Sequence, residues 1–204
     1  MRGNASETAT VPRLTPRITS GLRESDDVVE VVEYVRRQPD RAGRPLVILG
    51  VSLGTVAVSL ALPRIDDVAG VVLDAPIDDL TAAAHRMMTF RRAGDRRSSL
   101  YMYEPWRSLI VTSIGLWSGF SMSDVRPIEV VATMPHDLPV LVISEELDDR
   151  APPETVQHVF GRMPQHDGTK ELWRVAGVGH AKAFRDRPVE YDAALGRLLQ
   201  RLRR

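Results

Sequence analysis

Three stretches of the chain are apolar at every position instead of at alternate ones: Leu46-Val47-Ile48-Leu49, Ala69-Gly70-Val71-Val72-Leu73 and Val140-Leu141-Val142-Ile143. A strand that is apolar on both faces belongs inside a parallel sheet covered by helices. Leu172-Trp173-Arg174-Val175 adds a shorter fourth. Between these runs the pattern changes to that of helices. Val28, Val29, Val31, Val32 and Val35 fall on one broad helical face that ends at Pro39, and Ser25-Asp26-Asp27 offers a cap and a negative first turn. Residues 55–62 have the small and apolar side chains of a buried helix, and residues 153–163 and 188–203 also read as helices. Strands alternating with helices predict an α/β fold: a three-layer α/β/α sandwich with a mostly parallel sheet and right-handed crossovers.

Two regions do not follow this alternation. Residues 1–21 contain Pro12, Pro16 and several Ser and Thr without a sustained apolar period, and read as an extended arm ahead of a domain at 22–204. The connection between the second and third strands, about 78–135, is too long for a bare loop. Its Met87, Met88, Tyr101, Tyr103, Trp106, Trp117 and Phe120 make it a helical, cap-like insertion.

Composition narrows the function. At 204 residues, 43% hydrophobic and 26% charged, the chain matches one soluble domain and not a disordered or fibrous polymer. Lys plus Arg and Asp plus Glu both number 27, so no net field gathers phosphates or anionic lipid, and 5% aromatics offer few rings for base stacking. Neither nucleic acid nor membrane is an expected partner. There is no cysteine, hence no disulfide, thiolate nucleophile or Cys-type zinc site. No run reaches membrane-span length and the first ten residues lack an apolar signal core, so the expected location is the cytoplasm.

Gly50-Val51-Ser52-Leu53-Gly54 is a G-x-S-x-G string that follows a predicted strand and opens a predicted helix, the context of a nucleophile elbow. The spacing is not the G-x-G-x-x-G of a dinucleotide site, and no P-loop lysine follows the strand. A serine hydroxyl is a poor nucleophile until a base takes its proton, so a histidine and a carboxylate are required behind it. The third strand ends in Ser144-Glu145-Glu146-Leu147-Asp148-Asp149, and the fourth in Ala176-Gly177-Val178-Gly179-His180. The remaining histidines fit packing or surface roles: His85 and His158 in helical patterns, His166 in a polar stretch, His136 just before a strand. Asp74 ends the second strand and could orient His180, although Ala75-Pro76 suggest a structural turn. The cluster Glu145, Glu146, Asp148 and Asp149 could hold a hard cation, but without a regular calcium-loop spacing it reads as solvated charge.

These motifs resemble the α/β-hydrolases, and more narrowly the prolyl-oligopeptidase-like and acylaminoacyl-type peptidases and the bile-acid-conjugating thioesterases. The resemblance spans about residues 18–204 and rests on the elbow, Val71 to Pro76, Arg126-Pro127-Ile128-Glu129, 139–152 and Gly177 to His180. It implies a serine hydrolase acting on a small-molecule acyl or peptide substrate without cofactor or metal: Ser52 the nucleophile, Asp148 the acid, His180 the base, the Leu53 N–H an oxyanion donor. In the family pattern the acid precedes a proline by four residues; Asp148 fits with Pro152 and Asp149 with Pro153, and the strand-end alignment favours Asp148.

Such hydrolases carry several strands before the elbow, one of which supplies a second oxyanion donor. Only 51 residues precede Ser52, with one strand and one helix among them, so the fold is expected to be N-terminally truncated. Loss of one oxyanion donor typically costs about 10²- to 10³-fold in turnover. The strand 46–49 would become an exposed apolar edge, inviting self-association. The alternative to an enzyme is therefore a catalytically impaired remnant acting by association.

Overall fold

The computed structural model describes residues 19–89, 105–166 and 168–202. Four strands, β1 (Leu46–Val51), β2 (Val68–Asp74), β3 (Val140–Glu145) and β4 (Lys170–Val175), form one sheet in the order β1-β2-β3-β4, every neighbouring pair parallel. The helices are α1 (Glu24–Arg37), α2 (Leu53–Ala61), α3 (Leu80–Thr89), α4 (Trp106–Ser118), α5 (Pro127–Val131), α6 (Pro153–Arg162), α7 (Ala183–Asp186) and α8 (Pro188–Arg201).

The runs of β2 and β3 are apolar because both of their faces are covered. Val71 and Leu73 of β2 and Val140 and Val142 of β3 join Val32 of α1, Val58 of α2, Ile128 of α5 and Val156 of α6 in one core. The alternate residues Val72, Leu141 and Ile143 face Tyr191, Ala194 and Leu198 of α8 in a second. The expected three layers are present. β2 and β3 run on past their apolar runs, to Asp74 and to Glu145, and β4 begins ahead of its run, at Lys170.

β1 is the edge of the described sheet. Ile48 is buried toward the first core, whereas Leu49 and Val51 on the opposite face are 44% and 38% exposed.

Two expectations change. Ser25 does not cap α1. It lies inside the helix, buried, with its hydroxyl donating to the Leu22 carbonyl. The start is instead locked by Glu24, whose carboxylate accepts from the N–H and hydroxyl of Thr19 and the N–H of Gly21, while the Thr19 hydroxyl accepts from Arg23 N–H. A charged acceptor serving three donors fixes the turn ahead of the helix. Residues 19–21, assigned by sequence to the extended arm, are thus a turn; 1–18 lie outside the described residues.

The described parts of the long connection include α3, α4 and α5, and they pack on different parts of the domain. Leu80 and Ala83 of α3, Val111 of α4, Met122 and Val125 cluster on Val56 of α2, whereas Ile128 and Val131 of α5 belong to the main core. Tyr101 and Tyr103 lie outside the described residues.

A single residue, Ser52, joins β1 to α2. The turn is this tight because Gly50 lies against the first turn of the helix: a Cβ there would sit 2.8 Å from the Gly54 carbonyl oxygen and 3.0 Å from Thr55 Cα. Gly54 has open space around it. We expect Gly50→Ala to destabilise the protein by about 1–3 kcal/mol through overpacking, and Gly54→Ala to be neutral or stabilising because alanine favours the helix; thermal denaturation of both variants checks the contrast.

Candidate active site

Ser52 has φ 51° and ψ −118°, a conformation that a side-chain-bearing residue rarely adopts. It is held there by its neighbours. Its N–H donates to the Asp74 carbonyl at 2.8 Å, and its own carbonyl accepts from Thr55 N–H at 2.9 Å and from the Thr55 hydroxyl at 2.6 Å. Ala75 and Ala181 also have positive φ, so three of the five such non-glycine residues among those described flank this one rim. Local strain of this kind persists only where the surroundings over-determine it, and it gathers at functional sites.

The hydroxyl of Ser52 lies 2.7 Å from His180 Nε2. On the far side of the ring, Nδ1 is 2.9 and 2.8 Å from the two carboxylate oxygens of Asp148. An ionised carboxylate only accepts, so Nδ1 carries the ring proton and Nε2 is free to accept from the serine. Asp148 is itself anchored: Oδ1 takes the N–H groups of Arg150 at 2.8 Å and Ala151 at 2.9 Å, and its side chain is fully buried. Asp149 points into solvent.

Each partner arrives at the rim because a parallel strand ends there. Ser52 follows β1, Asp148 lies in the turn after β3, and His180 in the turn after β4. Glu146 N–H donates to the Val175 carbonyl and Leu147 N–H to Val178, which stitch the last two turns together. Leu53 opens α2, so its N–H belongs to the first turn, where no intrahelical acceptor exists, and is available beside Ser52 Oγ.

Behind this row lie side chains whose importance the sequence does not reveal. Glu145 is not solvated charge but completely buried, and Asp74 is 2% exposed. Tyr191 of α8 donates its hydroxyl to Asp74 Oδ2 at 3.1 Å. Burial, then the neighbouring charges of Asp74 and Asp148, push the Glu145 carboxyl up to about 9. Burial likewise raises Asp74, against the opposing pull of hydrogen bonds from Glu145 and Tyr191 and of the nearby His180. The acidic cluster therefore divides, with Glu145 and Asp148 inward and Glu146 and Asp149 outward. Of the other histidines, His136 stacks on His166 with ring centroids 5.8 Å apart, and His158 is exposed. Among the described residues no three metal-ligating side chains gather to hold an ion, and no helix is long and apolar enough to cross a membrane.

A model of the alpha/beta hydrolase family matches residues 6–194. No curated protein sequence matches the chain. Among solved structures, the Pyrococcus furiosus esterase Pf2001 superposes with a TM-score of 0.68 at 18% identity, covering 92% of this chain and 65% of the esterase. The chain thus spans less than two thirds of that relative's length. DcsB, solved in complex with its substrate analogue, gives a TM-score of 0.67 at 20% identity over 91% of this chain and 74% of DcsB. Acetyl xylan esterase 1 from Thermoanaerobacterium sp. JW/SL YS485 gives 0.59 at 14% identity over 87% of this chain and 52% of its own. At these identities the likeness is one of fold.

Asp148 has a structural duty separable from chemistry. Asp148→Ala leaves two amides without their acceptor and is expected to cost about 1–3 kcal/mol, while Asp149→Ala leaves the melting temperature where it is; denaturation of the two variants side by side checks this.

Proposed function

The chain belongs to the α/β hydrolase family, and on that premise we propose that it is a serine hydrolase that forms an acyl-enzyme on Ser52. The observation that carries this reading is the continuous hydrogen-bonded row from Ser52 Oγ through His180 to Asp148, with contacts of 2.7–2.9 Å.

The chemistry follows from that row. As Ser52 Oγ attacks the substrate carbonyl carbon, its proton passes to His180 Nε2, and the carbonyl π electrons move onto oxygen. Leu53 N–H stabilises the resulting oxyanion. Asp148 keeps the imidazole in the tautomer that can accept and stabilises the imidazolium that forms. Collapse of the tetrahedral adduct expels the leaving group, which takes the proton from Nε2. Water, deprotonated by the same nitrogen, then attacks the acyl-serine, and the acid product leaves with Ser52 restored.

Among ester, thioester and peptide bonds, esters are favoured. Two of the related folds named above are esterases. The residues beside the row also suit an apolar acyl group: Leu53 next to Ser52 is 37% exposed, Leu147 next to Asp148 64%, and Phe184, four residues past His180, 66%.

Hydrolysis of a p-nitrophenyl acyl ester series tests the reading. Ser52→Ala and His180→Ala are expected to reduce turnover to background, and Asp148→Asn to lower kcat by about 10⁴-fold because the imidazole is then held in the wrong tautomer. Ester hydrolysis that survives Ser52→Ala would refute the mechanism.

A further inference from the structure

The proposed mechanism leaves Asp74, Glu145 and Tyr191 unused, although they form the most deeply buried ionisable cluster near the row. Asp74 ends β2, Glu145 ends β3, and Tyr191 comes from α8, which covers the face of the sheet that carries Val72, Leu141 and Ile143. Asp74 Oδ2 accepts from Tyr191. Asp74 Oδ1 and both carboxyl oxygens of Glu145 are wholly removed from solvent and meet no donor from any described residue, and the register sets Asp74 beside Ile143 with Glu145 two residues on, so the two carboxyl groups end adjacent strands on the same face of the sheet. Two carboxylates cannot both stay ionised at such range in a dry site; one keeps a proton and donates to the other. The other titratable groups facing the pair are Asp148, from the turn after β3, and His180, from the turn after β4.

Each member of the cluster is tied to a different residue of the row. The Asp74 carbonyl accepts the N–H of Ser52 at 2.8 Å, and the Glu145 carbonyl accepts the N–H of Asp148 at 3.2 Å. The Tyr191 ring meets Phe184, in the short helix that follows His180, edge-on with centroids 5.5 Å apart. We propose that Glu145 stays protonated and donates to Asp74, so that Tyr191, Asp74 and Glu145 form a clamp between β2, β3 and α8 that positions Ser52, Asp148 and His180. These are positioning residues, since none touches the reacting atoms. The positioning role rests on the serine-hydrolase reading; the shared proton does not.

The sign of the pH effect is fixed by where the proton goes. An unfolded Glu145 ionises near 4.5, whereas the folded one holds its proton to about 9. The native state therefore binds the extra proton between these values, and the stability it confers is complete below the lower one and is lost as pH rises toward the upper one. Above it, a second negative charge enters the cluster and drives Asp74, Glu145 and Asp148 apart.

The test uses the full chain and Glu145→Gln, which keeps a donor toward Asp74 but cannot ionise. Infrared spectroscopy of the wild type should show a protonated-carboxyl band at neutral pH that disappears reversibly above about pH 9 and is absent from the variant. Melting temperatures should diverge in favour of the variant by several degrees between about pH 5 and about pH 8.5. In ester hydrolysis, the wild type should lose activity on the alkaline side, while Glu145→Gln holds its own neutral-pH rate further up the scale. A wild type without the band at neutral pH, or a melting difference that does not change with pH, overturns the shared proton. An unchanged alkaline limb in the variant overturns the positioning role. The spectrum and the melting curves do not depend on Ser52 chemistry, so failure of the hydrolase reading would show separately, as absence of turnover in a protein that still carries the band.

Discussion

All four described strands run in the same direction, and their carboxyl ends meet along one rim. This is the constraint on which the site depends. Residues 128 and 32 positions apart in the chain are brought into hydrogen-bonding contact there, because β1, β3 and β4 each deliver their next turn to the same edge. Register maintains the alignment, with Val51 beside Asp74, Asp74 beside Ile143 and Glu145 beside Val175. The hydrogen bonds from Ser52 N–H to Asp74 and from Thr55 to the Ser52 carbonyl, on a closely packed sheet, hold Ser52 in an unfavourable backbone conformation that an isolated turn would relax.

Much of this architecture is legible in the sequence, for a physical reason. Strands buried on both faces leave unbroken apolar runs, and runs such as 71–73 and 140–143 have no other reading in a chain where helical patterns separate them. The strand–Gly50–Ser52–helix context is legible for a similar reason: only a residue without a side chain permits the approach seen between Gly50 and the Gly54 carbonyl. His180, in its glycine-rich turn, and Asp148 follow from the order of the elements.

What escapes the sequence is decided by one or two residues of strand length. β3 continues through Ser144 to Glu145, past its apolar run, so a side chain that reads as part of a solvated acidic cluster ends up completely buried. Tyr191 sits in a helix whose amphipathic pattern marks it only as inward-facing; that its hydroxyl reaches Asp74, at the end of a strand far away in the chain, is a tertiary fact. The choice between Asp148 and Asp149 is likewise one of geometry, since proline spacing suits both and only one of them is turned toward the imidazole. Ser25 does not cap α1 because the helix already begins at Glu24, whose carboxylate ties down the preceding turn through Thr19 and Gly21, while the Thr19 hydroxyl takes the Arg23 N–H.

The fold does not determine the reaction, and folds of this class host many activities. What distinguishes this chain is a serine whose hydroxyl meets an imidazole already oriented by a buried carboxylate. The most direct measurement is to treat the protein with a fluorophosphonate probe and map the modified peptide by mass spectrometry. Covalent modification at Ser52, lost in His180→Ala while the protein stays folded, is the predicted result. A folded protein that takes up no probe at Ser52, or takes it up equally without the imidazole, would contradict the account.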